Sequence, residues 1–288
     1  YQGTLTGGQI AGTLWREARV GAAYLRTSNG FGTQRELGSG FLELDPLRMA
    51  GVACAALPIY VEYAQADRPF GDWWGLRTGD RDTFALYAAA NLLAGSFALS
   101  AEWKDYREFR LGLNDPPSLV REHASTLLNR ATHVLNAGRE RGFQLEGSWT
   151  ARPWGTVTAN FSRSDGRGDR FDERFLELHA APDEGRAWEA TAFWDEGEDG
   201  FSSIAGRRIY GASGTWRVDG RWSIAADVQR QEATREFALL PAIAFGDHYA
   251  ALTTSRAGLG SATFAWERST DPLQEDPALA TDGRIDPR

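Results

Sequence analysis

Apolar and polar residues alternate along most of this chain in segments of roughly eight to twelve residues, long enough to be β-strands. Gly142–Ser164, GFQLEGSWTARPWGTVTANFSRS, shows the pattern. Phe143, Leu145 and Trp149 fall on one parity while Gln144, Glu146, Ser148 and Thr150 fall on the other. Strand side chains point alternately to opposite faces, so the first strand has one apolar and one polar side. After a turn at Arg152-Pro153, Val157, Ala159 and Phe161 alternate with Thr156, Thr158, Asn160 and Ser162.

The connections alternate too. Short ones fall near Arg16–Arg19, Pro46–Ala50, Leu92–Gly95, Ala151–Trp154, Pro182–Gly185, Arg217–Gly220 and Arg256–Gly258. Long ones fall at Ser28–Ser39, Asp67–Asp80, Glu108–Glu140, Asp165–Asp172, Glu196–Gly206 and Glu232–Phe245. This predicts about fourteen strands, each near the roughly 9–11 residues that a tilted strand needs to cross the hydrocarbon. A soluble sandwich or propeller also has many short strands, but nothing obliges its loops to alternate in length. The expected fold is therefore all-β, an antiparallel up-and-down transmembrane β-barrel covering residues 1–288 as a single unit with one short helical or folded insert at 108–140.

The first connection is short, and the end of the chain, GRIDPR, lacks the aromatic terminus of a last barrel strand. Bacterial barrels usually keep both termini on the short-turn side, so the expectation is an interior piece of a parent barrel of at least ~16 strands. The tryptophans fit the same picture. Trp15, Trp149, Trp154, Trp188, Trp216 and Trp222 lie near short turns, whereas Trp103, Trp194 and Trp266 lie near strand ends that enter long loops. Amphipathic rings favour the two headgroup layers, which predicts two aromatic girdles; the competing reading is that tryptophan caps buried cores.

Composition changes the picture only by what it excludes. A mean hydropathy of −0.42 would ordinarily indicate a soluble chain, yet in a barrel only one strand face meets lipid and the average stays polar. The net charge of −8 comes without a basic stripe, so nucleic acid is not an expected partner. Cys54 is the single cysteine, which rules out an internal disulfide and a cysteine metal cluster. No cofactor is expected.

Counting in phase with the clearest strands puts Glu43, Asp45, Glu62, Glu102, Glu146, Glu177, Glu189, Asp195, Asp227 and Glu267 on the inward face with Gln144, Asn160, Gln229 and Gln231, and leaves Lys104 as the main inward cation. Such a face predicts a water-filled path that favours cations or neutral polar solutes. The alternative is a solvated lumen whose carboxylates pair with loop arginines.

The break in the hairpin rhythm is Glu108–Glu140. Asp115-Pro116-Pro117 stops a strand, Ser118 can cap a helix, and Val120, Ala124, Leu127, Leu128, Ala131, Val134 and Leu135 recur at helical spacing. The leading expectation is a short amphipathic helix or folded loop that constricts the mouth and places His123, Asn129, Arg130 and His133 in the lumen. A lumenal hairpin over Thr126–Val134 and a helix on the outer surface remain open. His123, Ser125 and Asn129 are close in sequence, but no nucleophile, zinc, phosphate or dinucleotide motif occurs, and the chain is not expected to be an enzyme.

The strand-and-loop pattern, over nearly the whole chain, resembles the porin-like outer-membrane β-barrel superfamily. The PPSLVREH…LLNRATHVLN stretch is similar to a segment in a poorly characterised group of such barrels. The resemblance implies the outer membrane of a Gram-negative bacterium with outer-membrane lipids as surroundings, and it carries no assigned substrate or site. Two functions follow as expectations. The first is a channel for passive or selective passage of small polar or cationic solutes. The second is a structural barrel that houses or anchors a protein partner in a secretion or electron-transfer assembly, with a homo-oligomer also possible.

Overall fold

The computed structural model describes residues 4–28, 34–66, 83–107, 109, 123–130, 139–151, 153–166, 169–181, 187–200, 203–236 and 241–271. In chain order these form β1 (Thr4–Trp15), β2 (Ala18–Ser28), β3 (Gln34–Leu44), the helix α1 (Pro46–Met49), β4 (Ala55–Ala56), β5 (Ile59–Ala66), β6 (Phe84–Ala94) and β7 (Phe97–Arg107). The helix α2 (Thr126–Arg130) follows. Then come β8 (Arg139–Ala151), β9 (Gly155–Gly166), β10 (Asp169–Ala180), β11 (Trp188–Asp199), β12 (Ile204–Arg217), β13 (Trp222–Arg235), β14 (Ile243–Arg256) and β15 (Gly260–Ser269). Strand neighbours follow the chain from β1 to β15, apart from the two-residue β4, which pairs with β6. This is the all-β, antiparallel up-and-down fold that the alternation predicts.

Several connections differ from the sequence reading, among them Ser28–Ser39, since β3 already starts at Gln34, and Glu232–Phe245, since β13 runs to Arg235 and β14 starts at Ile243. Asp165–Asp172 and Glu196–Gly206 are not long loops: β9 runs to Gly166 before β10 starts at Asp169, and β11 runs to Asp199 before β12 starts at Ile204. Polar residues here continue the strands, because ladder hydrogen bonding depends on backbone groups and not on side-chain polarity. Conversely, Pro46–Ala50 is not a tight turn but the start of a folded connection holding α1 and β4. Asp45 organises it. Its Oδ1 accepts from Arg48 N–H and Leu57 N–H, each at 3.1 Å, and the Arg48 guanidinium lies 3.5 Å from Oδ2.

The chain divides into two compact units: Tyr1–Leu119 with Val134–Leu145 and Ser164–Gly168, and Val120–His133 with Glu146–Arg163 and Asp169–Arg288. In the second unit the registers from β10 to β15 align outward residues into rows. One row is Leu178–Ala192–Ala212–Val228–Ala250–Trp266. Toward the short turns lies Trp188–Trp216–Ile224; toward the opposite end lie Leu176–Trp194–Tyr210 and then a charged row, Arg174–Glu196–Arg208–Glu232. From Trp216 to Tyr210 the outward face is apolar over roughly 20 Å of strand, at about 3.4 Å per residue.

Burial is inverted relative to a soluble sheet. Val228 is 55% exposed, and Phe143, Leu145, Leu178, Trp216, Ile224 and Leu252 are exposed with it. On the other parity Asn160, Ser162, Ser164, Glu173, Asp195, Arg207, Gln229 and Gln231 are buried. In the first unit the same holds for Val20, Tyr24 and Leu42, which are exposed on the face opposite Phe41. Gly21, paired with Phe41, leaves room for that ring, since a Cβ there would meet it at 2.3 Å.

Burial raises the affinity of the Asp45 carboxyl for a proton, but the amides of Arg48 and Leu57 and the Arg48 charge outweigh it and hold the group below the ordinary carboxylate range. Because the folded value is depressed, its stabilisation is complete above the unfolded value near 3.9 and is lost as pH falls through the folded value. Asp45→Ala is expected to expose the connection and speed tryptic cleavage after Arg48 at neutral pH, and in the wild-type protein the amides of Arg48 and Leu57 should lose hydrogen-exchange protection as pH falls through the folded value.

Candidate functional site

Within its unit each of Glu43, Glu62, Glu102, Glu146, Glu177, Glu189, Asp195, Asp227 and Glu267 stands on one parity of its strand, whereas Asp45, expected on the same face, lies beyond the end of β3 and caps α1 instead. In the first unit, cross-strand partners connect Glu43 to Tyr60, Glu62 to Phe41 and Tyr87, and Lys104 to Tyr87. The inward tyrosines serve the acids: Tyr60 OH donates to Glu62 Oε2 and Tyr87 OH donates to Glu102 Oε2, each at 2.7 Å. Glu43 is half-exposed, 3.9 Å from Arg19. In the second unit Asn160 Nδ2 donates to Glu146 at 3.4 Å and Gln229 Nε2 donates to Asp227 at 2.8 Å. Glu177 pairs with Phe193, Glu189 with Thr215 and Glu267 with Tyr249 across the strands. A groove of about 270 Å³ near the short-turn end is lined by Glu189, Asp227, His179, Thr191, Ser213 and Thr253.

Lys104 is not the sole major inward cation. It is fully buried, with Nζ 2.5 Å from Glu140, whose Oε1 also accepts from Ser164 Oγ. Arg207 and Arg235 are inward and buried as well, and Arg19 shares that face. A sequence signal for Arg207 exists: Arg207 and Arg208 are adjacent on one strand, so one of them must point inward. A register shift between Ala205 and Arg208, beside Gly206 at φ 61°, settles which. Arg208 faces out to Glu196 at 3.2 Å.

Arg207 anchors the most enclosed part of the inward face. Its Nη2 donates to Glu173 Oε1 at 3.0 Å and to Asp195 Oδ1 at 2.9 Å, while Nε donates to the same Asp195 oxygen at 3.2 Å. Glycine at 197 makes the reach to Glu173 possible, because a Cβ there would come within 3.1 Å of Nη2. His123 completes the group, its Nε2 3.6 Å from Glu173 Oε1 and its ring 4.6 Å from that of Phe175.

His123 belongs to the long insert, and so does the apolar plug beside it. Leu127 and Leu128 are buried against Phe175, Phe193 and Ile209, with Tyr249 at the margin. Leu127 N–H donates to Gln229 Oε1 at 2.9 Å. The described helix of the insert is the five-residue Thr126–Arg130, whose leucines pack on the wall beside His123. Inward Phe175, Phe193 and Ile209 supply an apolar patch on a polar face, which the alternation count did not single out. Asn129 is exposed. The Arg130 side chain and His133 lie outside the described residues, as do the rest of 110–122 and 131–138.

Trp15, Trp149, Trp154, Trp188, Trp216 and Trp222 are exposed at strand ends beside the short connections, and Trp194 and Trp266 are exposed nearer the other end. Trp103 is half-buried, with the Arg141 guanidinium 5.8 Å from its ring. Among the described residues no helix is long and apolar enough to cross a membrane. Comparison with protein-family models, with curated proteins and with solved structures returns no match.

Two tests address the buried groups. Glu140→Gln leaves the Lys104 ammonium without its counter-charge and should cost about 3–5 kcal/mol, whereas Lys104→Met with Glu140→Leu should be close to neutral in a denaturant titration. Truncating Leu127 and Leu128 to alanine should cost about 2–5 kcal/mol per site of local stability. The insert should then exchange its amide hydrogens faster while the strand amides keep their protection.

Proposed function

We propose that this chain forms part of a transmembrane β-barrel in the outer membrane of a Gram-negative bacterium, and that the barrel passes small polar or cationic solutes. The observation that carries this reading is the inversion of burial: apolar side chains are exposed on one face of the strands and hydrogen-bonded carboxylates are enclosed on the other. In water, that arrangement leaves an apolar surface far larger than soluble monomers tolerate. Against lipid it is the favoured one, and the apolar rows of roughly 20 Å fit the scale of the roughly 25 Å band of outer-membrane barrels. The tryptophans at both ends and the charged row Arg174–Glu196–Arg208–Glu232 fit the headgroup levels.

The inward acids bear on the cargo. Glu43, Glu62, Glu102, Glu146, Glu177, Glu189, Asp227 and Glu267 give the inward face a surplus of carboxylate, because Lys104 and Arg207 are spent on Glu140, Glu173 and Asp195. An acidic lumen attracts cations and admits neutral polar solutes. The insert, seated on that face through Leu127 and Leu128, narrows the path.

Purified full-length protein in planar bilayers should conduct with a reversal potential that favours cations. Neutralising Glu102, Glu146 and Glu189 to glutamine should move that potential toward zero, and deleting residues 116–138 should raise unit conductance. A protein that inserts into bilayers but carries no current, and loses a bound partner when 116–138 is removed, would instead be a housing or anchoring barrel.

A further inference from the structure

We propose that His123, Glu173 and Asp195 form a site for a divalent transition-metal ion, Zn²⁺ by the character of the donors, that fastens the insert to the inward face. Glu173 and Asp195 stand on adjacent strands, β10 and β11, and His123 comes from the insert. One donor atom from each of the three lies within 4.8 Å of the others. Arg207 donates to Glu173 Oε1 and Asp195 Oδ1. The second oxygen of each carboxylate, Oε2 and Oδ2, and His123 Nε2 are buried without a hydrogen-bond partner. A buried polar atom left unsatisfied is destabilising, and three such atoms on three side chains in one cluster call for a common partner. A metal ion satisfies all three at once.

The chemistry of the donors agrees. One imidazole and two carboxylates suit zinc, which in many sites takes three protein ligands and keeps a fourth position for water or an anion. Arg207 plays the outer part that ligating carboxylates commonly require, holding both side chains through Glu173 Oε1 and Asp195 Oδ1. The charges also close. Two carboxylates and one guanidinium leave the cluster at −1 with neutral imidazole, so a dication with one hydroxide or chloride brings it to zero. Competing soft or imidazole ligands are scarce in this chain, which has four histidines and one cysteine, the exposed Cys54.

The test uses purified full-length protein stripped with chelator and titrated with Co²⁺, whose visible absorption reports coordination, followed by displacement with Zn²⁺. One Co²⁺ per chain should bind, with the signal lost in His123→Ala and Glu173→Gln and unchanged in Cys54→Ser. Zn²⁺ should slow amide exchange over residues 123–130 in the wild-type protein and leave His123→Ala unaffected. His123→Ala leaves the β10–β12 ion pairs in place, so it decides the matter if Glu173→Gln fails to fold. A titration without saturation, a signal that survives His123→Ala, or exchange indifferent to bound metal would overturn the proposal. These readouts are independent of conduction, so a non-conducting barrel would leave the metal site standing and a conducting one would not establish it.

Discussion

Cross-strand register is the constraint on which the rest of the structure depends. Side chains alternate with a period of two, so a slip of one residue in any pairing would move a whole strand's apolar set to the wrong face. The pairings therefore hold over long runs, as in the unbroken ladder from Trp222↔Arg256 to Arg235↔Ile243. Among the described residues, register shifts between Thr13 and Trp15, Gly197 and Asp199, and Ala205 and Arg208 fall near strand ends. Bulges there leave the apolar rows aligned and re-aim side chains at the margins, which is how Arg207 comes to face Glu173.

Given that register, the enclosed face must satisfy its own polar groups. It does so mostly with neutral donors: tyrosine hydroxyls for Glu62 and Glu102, amides for Glu146, Asp227 and Asp247. Neutral donors steady a carboxylate while leaving its charge uncompensated, so the face keeps a negative field. Where burial is deepest, ions replace neutral partners, as at Lys104 with Glu140 and Arg207 with Glu173 and Asp195. There an unpaired charge would cost several kcal/mol. Arg235 and Asp271 repeat the device beside the last strands, joined at 2.6 Å and 3.1 Å.

The described residues 123–130 of the insert are held by the wall more than by their own helix. Five residues of helix are far below the length that is stable alone. Leu127 and Leu128 gain burial only because Phe175, Phe193 and Ile209 interrupt the polar face, and Gly211 lets the Phe193 ring lie across the neighbouring strand, where a Cβ would meet it at 2.8 Å. The seat thus belongs to strands remote in sequence from the segment that uses it.

The sequence by itself determined the strands, their order and the face of nearly every side chain, because period-two alternation is local and each of Phe143, Glu146, Val228 and Asp227 declares its parity within a few neighbours. It also showed that residues 108–140 break the rhythm. It misjudged where strands end at Gly166, Asp169, Asp199 and Ile204, since polar residues beyond the apolar band still join the ladder. Only the tertiary structure decided which charges meet. Arg207 reaches Glu173 across Gly197, and His123 lands beside both through contacts of its own insert with β10 to β14. Those meetings depend on register between segments tens of residues apart and on a glycine's missing side chain, and no local pattern encodes either.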